Sequence, residues 1–141
     1  MSRTIKFRGK RLDNGEWIFG DLLQTNEGSV CIGIHGQYID DGMHFNDLYD
    51  ETPYVDEDTV SQFTGLLDKN GKEIFEGDIV NVRQGERTFD IVVKWSNEAM
   101  AFMAYYADGN QSPLSWLSDL RMYQLKAIGS IHDNPELLNE K

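Results

Sequence analysis

The sequence predicts a mainly β protein, a compact barrel-like sheet with SH3-like features, β-hairpins with Asn-Gly turns and a short C-terminal helix, and three observations carry that expectation. Apolar and polar residues alternate at period two, most clearly where Phe89, Ile91, Val93 and Trp95 interleave with Asp90, Val92 and Lys94. Short polar breaks rich in Gly, Asn and Asp separate such stretches. Finally, residues 7–23 (FRGKRLDNGEWIFGDLL) and 63–80 (FTGLLDKNGKEIFEGDIV) share their punctuation once a single residue is inserted. Phe7 then meets Phe63, Asn14-Gly15 meets Asn70-Gly71, Ile18-Phe19 meets Ile74-Phe75, and Gly20-Asp21 meets Gly77-Asp78.

Taken in order, Ile5 and Phe7 alternate with Lys6, Arg8 and Lys10, the pattern of a half-buried strand with a basic outer row. Asp13-Asn14-Gly15 supplies residues that tolerate positive φ, and Glu16 to Phe19 resumes the strand, so 4–24 reads as a hairpin. Residues 36–58 are rich in Asp and Gly and read as a long surface excursion. A second hairpin follows from Leu66-Leu67, the turn Asp68-Lys69-Asn70-Gly71 and Glu73-Ile74-Phe75. The two hairpins are expected to share one turn solution, with Gly77 and Asp78 as structural turn residues beside Asn14, Gly15, Asn70 and Gly71. Ile79 to Val82, Phe89 to Trp95 and Ala101 to Tyr106 read as successive strands. Residues 112–123 suit a short helix started by Ser112-Pro113 as well as they suit a strand. Leu125 to Ile131 reads as the last strand, and Asp133-Asn134-Pro135 opens a capped one-turn helix.

With 141 residues, 40% of them hydrophobic, the chain can bury one sizeable core, so a single domain over 1–141 is expected, with 1–60 and 61–141 as an alternative subdivision. No run of 18 or more apolar residues is present, and no apolar stretch follows the charged N-terminus, so a cytoplasmic protein with no membrane partner is expected. Cys31 is the only cysteine and sits in apolar Val30-Cys31-Ile32, which removes an internal disulfide and reads as a small core residue.

The net charge of −11 is unevenly spread. Residues 1–11 carry five bases and no acid, whereas 12–68 carry thirteen acids and no Lys or Arg. Binding nucleic acid requires clustered cations to displace the counterions of the phosphates, so direct nucleic-acid binding is not expected.

Three stretches, IKFRGKRLDNGEWIFGDL, DTVSQFTGLLDKNGKEIFEGDIV and LKAIGSIHDNPELL, fall in the same order as in the YopX-like proteins of bacteriophages, prophages and mobile elements, and the chain resembles that family. The resemblance implies a compact, mainly β fold and a phage or prophage origin in a bacterial host. It brings no established reaction and no catalytic residue. Ser130 and His132 stand where relatives usually show Asn and Tyr.

The residues support no catalytic, cofactor or metal assignment. The acids Asp40, Asp41, Asp47, Asp50, Glu51, Asp56, Glu57 and Asp58 with His44 match no EF-hand spacing, and they read first as a solvated loop. A metal-dependent hydrolase built on them is the enzyme alternative, and a DNA-mimicking inhibitor that occupies the basic groove of a host protein is the binding alternative. Lys6, Arg8 and Lys10 read as protection of an exposed strand edge. Trp95 shares a face with Phe89, Ile91 and Val93 and is expected in the core. Tyr105 and Tyr106 point to opposite faces of their strand, which leaves one as an interface anchor. The leading expectation is a non-enzymatic protein-interaction module of phage or prophage origin, with a host or phage protein, or a second copy of the chain, as partner. Tyr105, Tyr106, Asp47, Asp50, Glu51 and Asp56 are the candidate interaction residues.

Overall fold

The computed structural model describes residues 3–33 and 53–138. Among the described residues ten strands form two five-stranded sheets, and the strand pairs of known register are antiparallel. The strands are β1 (Phe7–Lys10), β2 (Trp17–Gln24), β3 (Val30–Gly33), β4 (Ser61–Leu67), β5 (Glu73–Phe75), β6 (Asp78–Gln84), β7 (Arg87–Ser96), β8 (Ala101–Tyr106), β9 (Gln111–Pro113) and β10 (Gln124–Ser130). The first sheet has the order β3-β2-β1-β4-β5 and the second β10-β6-β7-β8-β9. Short 3-10 turns cover Glu57–Thr59, Leu114–Ser118 and Pro135–Leu138. Among the described residues no helix is long and apolar enough to cross a membrane. The chain divides into two compact units, residues 1–63 and 64–141.

In the first unit, Val30, Ile32 and Val55 form the core, with Phe7, Ile18, Leu22 and Val60 packed against them. Cys31 is fully buried, as its apolar setting predicts. The outer edge of β3 is occupied by the returning chain: Tyr54 bridges Cys31, Ile32 N–H donates to Pro53 O at 3.3 Å, and Val55 N–H donates to Val30 O at 2.9 Å. Residues 53–58, expected to belong to a surface excursion over 36–58, are therefore built into the unit, while 34–52 lie outside the described residues. Edge protection by Lys6, Arg8 and Lys10 is corrected too. β1 lies between β2 and β4, and Arg8 is only 7% exposed. Its guanidinium stacks over the Trp17 ring at 4.3 Å, with the Lys10 ammonium 5.4 Å from the same ring. Lys10 is paired with Trp17 across the strands, which brings the cation to the ring.

The two similar segments are both hairpins, but they close differently. Gly15 (φ 72°) and Gly71 (φ 81°) adopt the left-handed conformation, whereas neither Asn14 nor Asn70 does. In the first turn Arg11 N–H bonds Glu16 O, and Asn14 Oδ1 accepts Glu16 N–H. In the second the closing bond runs from Asp68 N–H to Lys72 O, one residue tighter. The cause is the exchange of Leu12 for Asp68: the Asp68 carboxylate gathers the turn by accepting Asn70 N–H and Lys72 N–H at 2.8 and 2.9 Å. The single inserted residue also separates the segments' ends. Gly20-Asp21 lies within β2, whereas Gly77-Asp78 makes the turn into β6, with Asp78 Oδ2 accepting Phe75 N–H at 2.8 Å.

The second unit is built around Ile74, Val80, Val82, Ile91, Val93, Ala104, Leu114, Leu117 and Leu125. β9 and the 3-10 turn at 114–118 resolve the ambiguous segment: Pro113 ends the strand, and Leu114 and Leu117 then turn into the core. Neither sheet closes into a barrel; in the second, the outer edge of β10 receives a turn instead of a strand. Lys69 N–H donates to Leu125 O at 2.8 Å, and Asp68 Oδ2 accepts Ala127 N–H at 3.0 Å. At the opposite margin β9 is three residues long.

Trp95 is a correction, being 46% exposed. It follows the period-two face, but its row (Trp95 opposite Phe102) lies beyond the last core pair, Val93 with Ala104. The indole stacks edge-on against Phe102 at 5.2 Å and donates Nε1–H to Asn97. Trp95→Ala is therefore expected to cost about 1 kcal/mol, well short of the roughly 3–5 kcal/mol of a buried tryptophan; urea unfolding measures the difference.

A bulge interrupts β10 between Ala127 and Gly129, and there Asn134 docks its side chain on the strand, accepting Ser130 N–H at 3.3 Å. A Cβ on Gly129 would run into Asn134 Oδ1, so Gly129→Ala is expected to lower the thermal midpoint, by about 1–2 kcal/mol of stability, and to free the Pro135–Leu138 turn. That turn begins at Pro135 as the sequence predicts, but Asn134 Oδ1 serves the strand and not the helix start.

Candidate interaction surface

The second sheet ends unevenly. Ten-residue β7 outruns six-residue β8, whose last pair is Tyr106 with Ile91. Beyond it the chain turns away, with Tyr106 N–H bonded to Asn110 O at 2.9 Å and Gly109 N–H to Tyr106 O at 3.0 Å. Residues 87–90 are thus paired with β6 on one side, and their other side has no strand neighbour among the described residues.

A concavity of about 960 Å³ surrounds this ledge. Because it wraps the end of the sheet, both faces contribute. On the core face, Phe89 and Tyr106 lie with ring centroids 5.7 Å apart, and the Tyr106 hydroxyl meets Ser112 Oγ at 2.7 Å. Leu117 and Tyr123 complete that side. On the other face lie Val92, Lys94, Tyr105, Leu137 and Leu138. The two tyrosines take opposite faces as the strand period predicts, and both are half-buried. Tyr106 is tied into the unit through Ser112; the hydroxyl of Tyr105 has no hydrogen-bond partner among the described residues, and its ring lies 5.4 Å from the Lys94 ammonium.

The charges of the concavity divide in an informative way. Its acids are occupied locally: Asp90 Oδ1 accepts Asn81 Nδ2–H at 2.9 Å, and both oxygens of Asp108 bind Asn110. Its cations are not. Arg87 lies over Phe89 at 5.2 Å and Lys94 over Tyr105, and neither has a carboxylate partner among the described residues. Arg87, Phe89 and Lys94 escape a sequence reading, since their role depends on where β8 stops. The strand patterns read as Phe89 to Trp95 and Ala101 to Tyr106 are nearly equal in length, so no pattern along the chain points to them.

Asp56 belongs to the first unit, where its carboxylate accepts Asp58 N–H at 3.0 Å and opens the 57–59 turn. Asp47, Asp50 and Glu51 lie outside the described residues, as do Asp40, Asp41, His35 and His44. Among the described residues no three His, Cys, Asp or Glu side chains gather as metal ligands.

The family described as YopX protein matches residues 6–139, nearly the whole chain. The chain belongs to the YopX family. Its fold is similar to that of protein EF1440 from Enterococcus faecalis, a crystal structure with TM-score 0.57 and 27% sequence identity, over 97% of this chain and 99% of that one. No curated protein matches the chain. The ledge and its concavity lie inside the region that the YopX family spans.

Proposed function

We propose that this YopX-family chain is a phage- or prophage-encoded accessory protein that works inside the bacterial cell by binding another protein, without catalysing a reaction. The observation that carries this reading is the ledge at Arg87–Asp90, an open strand end flanked by the half-buried Tyr105 and Tyr106. Aromatic rings that keep part of their surface in water, beside main-chain groups with no strand to bind, make a surface that association would complete. Asp90 and Asp108 in the concavity are paired locally, and Arg87 and Lys94 lie over rings, so these four form no nucleophile–base pair among the described residues.

The test is affinity capture from lysate of a bacterial host at low and moderate salt, with mass spectrometry of what is retained. One protein recovered in stoichiometric amount, and lost with Tyr105→Ala, is the expected result. Recovery of nothing beyond the chain itself would overturn the reading. Recovery of a nucleic-acid-binding protein that survives Tyr105→Ala and is released by salt would instead favour the DNA-mimic alternative, drawn from the thirteen acids and absent cations of residues 12–68.

A further inference from the structure

Resting on the interaction reading, we propose that the ledge takes an extended, acidic and apolar segment of a partner protein as an added strand against Arg87–Asp90. The two-residue loop Gly85-Glu86, with Gly85 at φ 62°, makes Gln84 and Arg87 a hydrogen-bonded pair. Hydrogen bonding alternates from there along an antiparallel ladder, so the main-chain groups of Arg87 and Phe89 serve β6, and those of Thr88 and Asp90 point to the open side. Those groups are the template that strand addition uses. The sheet's other margins offer less: the Asp68 turn binds β10 at Leu125 and Ala127, and β9 is only three residues long.

Charge and shape then specify the segment. Side chains of an added strand alternate between the two faces. On one face they meet Phe89, Tyr106 and the Arg87 guanidinium; on the other they meet Val92, Tyr105 and the Lys94 ammonium. In a chain of net charge −11, both cations of this concavity lack a carboxylate partner among the described residues, while its acids are bound to Asn81 and Asn110. A segment that supplies carboxylates to the two cations and apolar side chains to the rings satisfies both.

The probes are a short capped peptide of glutamate, valine and tyrosine and its counterpart with lysine at each glutamate position. Binding is followed by amide chemical shifts and fluorescence anisotropy. The acidic peptide is expected to shift the amides of 87–90 and to bind at least about tenfold more tightly than the basic one. Thr88→Pro deletes one outward N–H at a position where an edge strand tolerates proline, and it is expected to abolish binding while the urea midpoint holds. Arg87→Glu is expected to weaken binding about tenfold. No binding by the acidic peptide, equal binding of both peptides, or unchanged binding by Thr88→Pro would each overturn the proposal. So would concentration-dependent dimerisation of the peptide-free chain that Thr88→Pro abolishes, because a second copy would then hold the ledge. If Thr88→Pro captures the same lysate protein as the unaltered chain, the strand-addition proposal falls while the interaction reading stands.

Discussion

Asp68→Ala is expected to destabilise the protein by about 3 kcal/mol. Asp68 is 6% exposed, and its carboxylate accepts three main-chain N–H groups, from Asn70 and Lys72 in its own turn and from Ala127 on β10. Alanine would remove three hydrogen bonds to a charged acceptor, each worth about 1.5–3 kcal/mol where water does not replace it, and water can reach the exposed Asn70 and Lys72 more readily than the half-buried Ala127. The turn would also lose its grip on the edge of β10, so amide exchange is expected to speed up at Ala127 and Asn70 before it does in the core. Asp68→Asn separates the contributions, because it keeps an acceptor oxygen and removes the charge.

The same residue sets an acid limit. Burial pushes the Asp68 carboxyl up, but the bonds from Ala127, Lys72 and Asn70, with the Lys72 charge, outweigh it and hold the group below the usual carboxylate range. A carboxylate depressed in the folded state contributes stability that is present above its unfolded value, near pH 4, and is lost as pH falls through the folded value. Stability measured by urea midpoint is expected to fall below about pH 4 and to fall less steeply in Asp68→Asn. An identical acid profile in the two proteins would show that other carboxylates govern the transition.

Gly71→Val is expected to cost about 2 kcal/mol. No atom stands within 4 Å of where its Cβ would lie, so the penalty comes from the backbone: Gly71 holds φ at 81°, which a β-branched residue resists. Gly71→Asn, which tolerates the left-handed region, is expected to recover more than half of that loss. Equal midpoints for valine and asparagine would place the cost elsewhere in the turn.

How legible the protein was can be argued from particular residues. The strand pattern from Phe89 to Trp95 announced β7, because a buried face imposes period two on the side chains wherever the strand is covered. It misplaced Trp95, because period reports which face a residue takes and not whether anything covers that end of the face. Lys6, Arg8 and Lys10 read as an edge for a similar reason. Whether a strand has one neighbour or two is decided by β4, which arrives from residues 61–67. The Asn-Gly dipeptides located both turns, yet the closing bonds were set by Asp68 against Leu12, a difference in side-chain acceptors that the shared dipeptide conceals.

By itself the sequence determined the family, the mainly β class, the positions of most strands and turns, and the buried setting of Cys31, because these depend on local alternation, turn chemistry and order along the chain. Tertiary structure alone decided that the sheets stay open, that Arg8 is buried, and that β7 outruns β8 to leave a ledge with two cations over aromatic rings. Those properties depend on which segments distant in sequence meet and where each pairing stops, and no local pattern carries that information.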